Sequence, residues 1–328
     1  MPTLAADSML SACLVGLCGQ TLRDFEVVVV DNSGRSAARS HGVSDTRITV
    51  LENKCNVGFG AAINEAFSRS RTPYLATLND DAVPEPGWLE ALVAAMESDP
   101  GVGMCASKVL LAGDGCLDSA GMLVAADGSS KQRGHRRPPE QFARREEVFF
   151  PSACAALYLR AMLEEVGLFD EEFFLYCEDT DLGLRGRWAG WRCLYVPDAV
   201  VEHRYSHSAG RASPLKAYYV ERNRLFVLLK NFPIRYILTA PCAGLVRYFW
   251  HVVYLCRGRG AAARFRDGGH AGLRLPWMVL RAHLASAGAL GRLWRQRRAI
   301  RRTARLSAGD FCALVRSYSI ALREVAAL

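Results

Sequence analysis

The stretch FEVVVVD, Phe25 to Asp31, decides how this chain reads. Four consecutive valines are too few for a helix and too apolar for a half-solvated strand. They mark a strand buried on both faces, closed by an acid. The same kind of element recurs on either side. RITVLEN (Arg47–Asn53) is a second strand, PYLATLN (Pro73–Asn79) a third and GVGMCASKVLL (Gly101–Leu111) a further one. Between them, GAAINEAFSRS (Gly60–Ser70) and GWLEALVAAMESDP (Gly87–Pro100) read as helices, the second ended by Asp99-Pro100. Leu10 to Leu22 also carries apolar residues at helical spacing. Strands alternating with helices predict an α/β layered domain with a mainly parallel sheet. Leu111 to Arg145, rich in Gly, Asp, Ser, Pro and Arg, reads as an irregular insert or mobile loop, and order returns at PSACAALYLRAMLEEVGLFD (Pro151–Asp170).

From Ser213 the pattern becomes helical and basic, which divides the chain into residues 1–212 and 213–328. Charge follows the same division. From Arg211 to the end there are 22 Lys and Arg against 4 Asp and Glu, a net of +18, and the preceding 210 residues carry −10. Such a tail should seek anions. IRYILTAPCAGLVRYFWHVVYL (Ile234–Leu255) is long enough to span a bilayer, but Arg235, Pro241, Arg247 and His251 make a span costly, so a re-entrant or surface-lying helix pair is expected. Arg274, Arg281 and Arg295 lie at multiples of seven, and Arg298, Arg302 and Arg305 follow at three or four. Basic amphipathic helices of this kind lie on anionic membranes. The alternative is a packed helical subdomain with solvated charges. No nucleic-acid recognition motif accompanies the charge, so nucleic acid is not an expected partner. The eleven cysteines are scattered without a C-x-x-C pair, which argues against zinc and a disulfide framework and fits a reducing cytosol. No charged segment followed by an apolar one opens the chain, so no signal peptide is expected.

Ligands of open α/β sheets bind beyond the carboxyl ends of the strands. Asp31 ends one strand, and Asp80 and Asp81 follow another. Asp31 could accept hydrogen bonds from a base or sugar, and Asp81 could hold a hard divalent ion. Each could instead cap a turn. NVGFGAAIN (Asn56–Asn64) places glycines between strand and helix, where backbone can approach a ligand, or simply turn. Glu178, Asp179 and Asp181 follow an aromatic run; Asp181 and Arg185, at i and i+4, are expected to pair on a helix surface. That leaves Asp179 as a carboxylate able to accept a proton, or as part of an acidic first helical turn. His203 follows an apolar stretch and could be a metal ligand or a structural histidine.

Taken together and in this order, DFEVVVVDNSG, NVGFGAAIN, LNDDAVPEPGWL, PSACAALYLRAMLEEVGLFDEEFFLYCEDTDLGLRGRWAGW and YVPDAVVEHRYSHS resemble the family 2 glycosyltransferases of the GT-A fold, in particular their bacterial rhamnosyltransferase-like branch. The resemblance covers roughly Leu10 to Ser208. It implies an inverting, metal-dependent transfer of a sugar from a nucleotide-diphosphate sugar to a hydroxyl of a glycan or lipid-linked acceptor. Asp81 would bind Mn2+ or Mg2+ with His203 as a further ligand. Asn79 and Asp80 would sit at the donor, Asp31 at the base, and Asn56 and Gly58 also on the donor side. Asp179 would be the general base, with Glu178 beside it in the catalytic pair. Rhamnose from dTDP-rhamnose is the sugar the resemblance suggests, with UDP-linked sugars as the alternative. It also suggests a cytoplasmic protein, peripheral at the inner face of the membrane, working in surface polysaccharide synthesis. Two departures are visible: no apolar strand precedes the first helix, and Ala153 stands where relatives often have Gly. The first makes an impaired nucleotide-sugar binder or a membrane scaffold an alternative. A nucleotidyltransferase is another.

Overall fold

A computed structural model describes residues 1–5, 8–41, 45–204, 213–268 and 274–328. The chain divides into two compact units, Met1–Met122 with Gln132–Gly186 and Gly190–Ser208, and Leu123–Lys131 with Arg187–Ala189 and Ala209–Leu328.

In the first unit the strands are β1 (Pro2–Thr3), β2 (Val27–Asp31), β3 (Ile48–Glu52), β4 (Tyr74–Leu78), β5 (Ala82–Pro84), β6 (Val102–Leu111) and β7 (Leu117–Ser119). After the β8 (Met122–Val124) and β9 (Ser130–Gln132) ribbon come β10 (Glu146–Val148), β11 (Ala155–Leu159) and β12 (Arg192–His203). The helices are α1 (Met9–Cys18), α2 (Phe59–Arg69), α3 (Trp88–Glu97), α4 (Arg160–Val166) and α5 (Glu178–Trp188). β1, β2 and β3 pair in parallel. In the larger sheet, ordered β10-β12-β6-β11-β4, strands β4, β6 and β12 run the same way and β11 is reversed between β4 and β6. The reversal has a local cause. β6 ends at the carboxyl edge, β10 lies beside Cys193–Tyr195 at the start of β12, and the chain then enters β11 with Ala155 opposite Leu78 at the carboxyl end of β4, so it must run back. Pro2 and Thr3 pair with Val30 and Asp31, so a two-residue strand stands where the sequence reading found none.

The valine strand and the α1 and α3 helices enclose one core, with Leu10, Leu14, Val29, Leu78, Trp88, Leu92, Cys105, Leu157 and Val201 all buried. Excluding this much apolar surface from water is what fixes the strand ends, and so the acids that follow them. The segment read as an insert or mobile loop is instead folded into β7–β9, with Leu117, Asp118, Ser119 and Ala120 buried. Its composition is that of tight turns, which hid the short strands between them.

The second unit is helical: α6 (Pro214–Asn231), α7 (Ile234–Cys256), α8 (Gly260–Asp267), α9 (Arg274–Gly288), α10 (Leu290–Arg302), α11 (Ala308–Ser317) and α12 (Leu322–Ala327). Among the described residues no helix is long and apolar enough to cross a membrane. Arg247, midway along α7, is buried against two carboxylates: its Nε donates to Asp127 Oδ2 (2.6 Å) and a terminal nitrogen to Glu221 Oε2 (2.7 Å). Arg224 joins both acids and Tyr248 donates to Glu221 Oε1 (2.6 Å). The network ties residues 123–131 to α6 and α7. Burial alone would raise the pKa of Glu221, but Arg224 and Arg247 hold it far below the ordinary carboxylate range, and Asp127 is lowered in the same way. A lowered folded pKa contributes stability above the unfolded pKa that is lost as pH falls. This unit should therefore weaken below about pH 4.5. Glu221→Gln should cost about 3–5 kcal/mol at neutral pH, because it leaves buried guanidinium charge unmatched. Chemical denaturation at pH 7 and pH 4 measures both effects.

Candidate active site

The NDD tripeptide follows β4. Asn79 N–H donates to the Cys154 carbonyl (2.9 Å), which ties this strand end to the loop before β11. One residue earlier in that loop, Ala153 N–H donates to Asp179 Oδ2 (3.3 Å). Two consecutive residues thus link the strand end that carries Asp80 to Asp179, 99 positions further on. Ala153, noted in the sequence as a departure, contributes through its backbone.

Register explains the position of His203. β12 pairs antiparallel with β5 so that His203 lies opposite Ala82, and Arg204 N–H donates to the Asp81 carbonyl (3.0 Å). This sets His203 Nε2 3.3 Å from Asp81 Oδ1. On the ring's other side, Nδ1 lies 2.8 Å from Asp118 Oδ2, and Asp118 Oδ1 lies 3.0 Å from His135 Nδ1. Asp118 arrives on β7, which pairs with the end of β6. Burial pushes the His203 pKa down; the adjacent Cys154 sulfur and the hydrogen bonds to Asp118 and Asp81 reverse this and raise it well above the ordinary histidine value. Burial likewise pushes Asp118 up, and its two histidine partners bring it below the usual carboxylate range.

These groups suit a divalent cation. A carboxylate oxygen and an imidazole nitrogen face each other, and a buried carboxylate orients the imidazole from behind, as behind metal-bound histidines generally; a cation entering here would displace the proton that His203 shares with Asp81. Among the described residues no group of three or more His, Cys, Asp and Glu is placed to hold a metal ion together. The protein would supply Asp81 and His203 and leave the remaining positions to water and substrate phosphates, as nucleotide-binding divalent sites do, with one imidazole in place of an oxygen ligand. Asp118→Asn should weaken Mn2+ binding about 10- to 100-fold while both ligands remain, a loss that titration calorimetry of the metal would read directly.

Asp80 Oδ2 accepts a hydrogen bond from Thr3 Oγ1 (2.6 Å). Asp31 is buried, and its two oxygens accept from Ser33 N–H and Ala38 N–H (2.8 Å each). Burial opposes its charge, but those bonds and nearby Arg35 hold its pKa below the ordinary value. Asp31 therefore organises the turn after β2, and only its remaining lone pairs are open to a base or sugar. In the glycine-rich loop, exposed Asn56 accepts from Gly58 N–H (2.9 Å) through its side chain. Gly58 has φ +92°, and a Cβ there would lie 2.6 Å from the Phe174 carbonyl oxygen. The same carbonyl accepts from Phe59 N–H (2.8 Å). The loop thus grips the segment leading into α5, where Phe174, Tyr176 and Cys177 all have positive φ. Such left-handed backbone in non-glycine residues stores strain of the kind that clusters at working sites.

α5 opens with Glu178 and Asp179. Asp179 Oδ1 accepts from Thr180 N–H (2.6 Å). Glu178 is buried and its Oε2 has no hydrogen-bond partner. Burial, then the charge of Asp179, pushes the Glu178 pKa up to about 8, and burial also raises Asp179 against its backbone hydrogen bonds. The pair therefore holds a proton more tightly than separate solvated carboxylates would. Asp181 and Arg185 pair as expected (2.9 Å), but in the interior rather than on the surface. Arg185 also donates to the carbonyls of Val166, Gly167 and Leu168, so it closes the end of α4. The sequence reading missed Thr3, Asp118 and His135. Asp118 sits in a short apolar run, CLDSAGML, whose strand character is its only local signal. Of YVPDAVVEHRYSHS, residues 205–208 lie outside the described residues.

An α/β sheet with acids gathered at its carboxyl edge is the frame of the nucleotide-sugar transferases, and comparison gives the GT-A fold. A structure of GalNAc-T7 with UDP, GalNAc and Mn2+ aligns over 70% of this chain and 46% of that one, with a TM-score of 0.56 and 14% identity. A family model, glycosyl transferase family 2, matches residues 1–167, and the chain belongs to that family. It is 29% identical over 232 residues to N-acetylglucosaminyl-diphospho-decaprenol L-rhamnosyltransferase of Mycobacterium tuberculosis, covering 63% of this chain and 76% of that protein. It is 30% identical over 226 residues to the protein y4gI of Sinorhizobium fredii, covering 64% of this chain and 24% of the relative, so it spans about a quarter of that protein's length.

Proposed function

We propose that this chain transfers a sugar from a nucleoside-diphosphate donor to a hydroxyl group of a glycan or lipid-linked acceptor. The observation that carries the reading is the linkage of the NDD and ED motifs through Ala153 and Cys154. It ties the strand end that carries Asp81 to the loop that meets Asp179, which supports reading them as a cation ligand and a proton acceptor of one site. Asp81 and His203 hold Mn2+ or Mg2+, which would stabilise negative charge on the leaving nucleoside diphosphate. Asn79, Asp80, Asp31 and the Asn56–Gly58 turn bound the donor pocket. Asp179 takes the proton of the acceptor hydroxyl as its oxygen attacks the anomeric carbon from the face opposite the leaving group. That single displacement inverts the sugar and forms no covalent enzyme intermediate. The rhamnosyltransferase relative supports rhamnose as the sugar and a lipid diphosphate as the acceptor's carrier. The basic helical unit supports work at an anionic membrane surface.

The test is thermal stabilisation by UDP, dTDP and GDP, each with and without Mn2+. One nucleotide should raise the melting temperature in a Mn2+-dependent way, since a ligand of the folded state alone must stabilise it. dTDP is the expected one. A flat response to all three would remove the donor pocket, and with it the reading.

A further inference from the structure

Helix α10 carries two ridges. Leu290, Trp294, Arg298 and Arg302 follow one another at intervals of four and all are exposed. Behind them Leu293, Arg297 and Arg301 form an inner row. A surface pocket of about 430 Å³ lies here, lined by Trp294, Arg297, Arg298, Arg301 and Arg302. Its size is within the range of ligand sites.

The inner arginines have a structural duty that does not use all their donors. Arg297 gives a terminal nitrogen to the carbonyls of Leu229 and Phe232, and Arg301 gives one to Asn231, so they close the C-terminal end of α6. Arg301 also lies over Trp188, its guanidinium carbon 3.3 Å from the ring centroid. Its other terminal nitrogen is buried and makes no hydrogen bond. Arg298 and Arg302 make no hydrogen bond or ion pair with any described residue. No Asp or Glu occurs between Asp267 and Asp310 to balance these charges. Burial, then the charge of Arg297, presses the Arg301 pKa down to about 9, the mark of a guanidinium without a counter-charge. Arginines four apart on a helix repel one another. Four together, two of them fixed, are a cost that a bound anion removes.

We propose that this pocket binds a phosphate group, held by Arg298, Arg301 and Arg302 with Trp294 as its apolar wall. Planar guanidinium forks match phosphate oxygens in pairs, which a single ammonium cannot do. The apolar end of the outer ridge, Leu290 and Trp294, favours a phosphate carried by a lipid, with the acyl or prenyl portion lying along those side chains. The site lies on residues of the second unit and does not depend on the sugar-transfer reading.

The test uses the full chain, its Arg298→Gln/Arg302→Gln variant, and a charge-matched control, Arg257→Gln/Arg316→Gln, altered at exposed arginines outside the pocket. Flotation is measured with phosphatidylcholine vesicles containing phosphatidic acid, or oleic acid at equal surface charge. Wild type should prefer phosphatidic acid, the pocket variant should bind those vesicles roughly 30-fold more weakly, at about fivefold per charge, and the control should change little. Equal binding to the two anionic vesicles, or equal losses in the two variants, would overturn the proposal in favour of a diffuse basic surface. Calorimetry with inorganic pyrophosphate separates the source. Pyrophosphate binding without vesicle binding, lost in the pocket variant, supports the site with a soluble phosphate. No binding of either probe overturns it.

Discussion

Asn in place of Asp179 lowers the rate of sugar transfer roughly 10²- to 10⁴-fold, the range that general base catalysis contributes. The substitution keeps the shape of the side chain and one oxygen acceptor for Thr180 N–H, while it loses an acceptor for Ala153 N–H. Donor binding should persist, so nucleotide-dependent thermal stabilisation remains as turnover disappears. That split separates a base from a residue that merely supports the fold. Glu178→Gln gives the companion result. The folded chain retains a proton on Glu178 up to about pH 8, whereas the unfolded chain releases it near 4.5. Folded protein therefore binds more protons across this window, and stability falls as pH rises through it. Gln removes that slope, so the variant should gain stability relative to wild type at pH 8 and above. Because Glu178 is already uncharged below about pH 8 and burial is what raises Asp179, the acid limb of the rate profile should stay in place.

The second large effect is at the cation pair. Asp81→Ala should abolish Mn2+-dependent stabilisation by nucleotide, which at a ligand concentration of 100 times Kd amounts to about 2.7 kcal/mol in the wild type. The fold should survive, because the strand pairing at this point uses the Asp81 carbonyl rather than its side chain, and His203 keeps Asp118. His203→Ala is the poorer probe. It strips a partner from the buried carboxylate of Asp118, and a loss of binding would then mix with a loss of stability. Melting curves of Asp81→Ala with and without Mn2+ and nucleotide give both quantities. An undiminished shift in that variant would move the cation elsewhere.

Much of this site was legible because its signals are local. Four valines ending in Asp31 make a strand whatever surrounds them, and Asp80, Asp81, Glu178 and Asp179 each follow an apolar or aromatic run that fixes where they emerge. The family resemblance then supplied roles that no single run could. Asp118 was not legible, since nothing near it in the chain marks a partner 85 positions away. The insert around it was misread for a related reason: three-residue strands have too few positions for a period to show.

Sequence by itself determined the alternation of strands and helices, the family, the order of the acidic motifs and the basic tail, because hydrophobic period and charge are properties of neighbouring residues. Tertiary structure decided which charges meet. The pairing of β12 with β5 and β6 set His203 between Asp81 and Asp118, and the packing of α5 turned Asp181–Arg185 from a surface pair into an interior clamp. Packing within the helical unit likewise gave Arg247, which the sequence read only as an obstacle to crossing a membrane, two buried carboxylates. The strength of a charge interaction depends on distance and dielectric, and neither exists until the chain has folded.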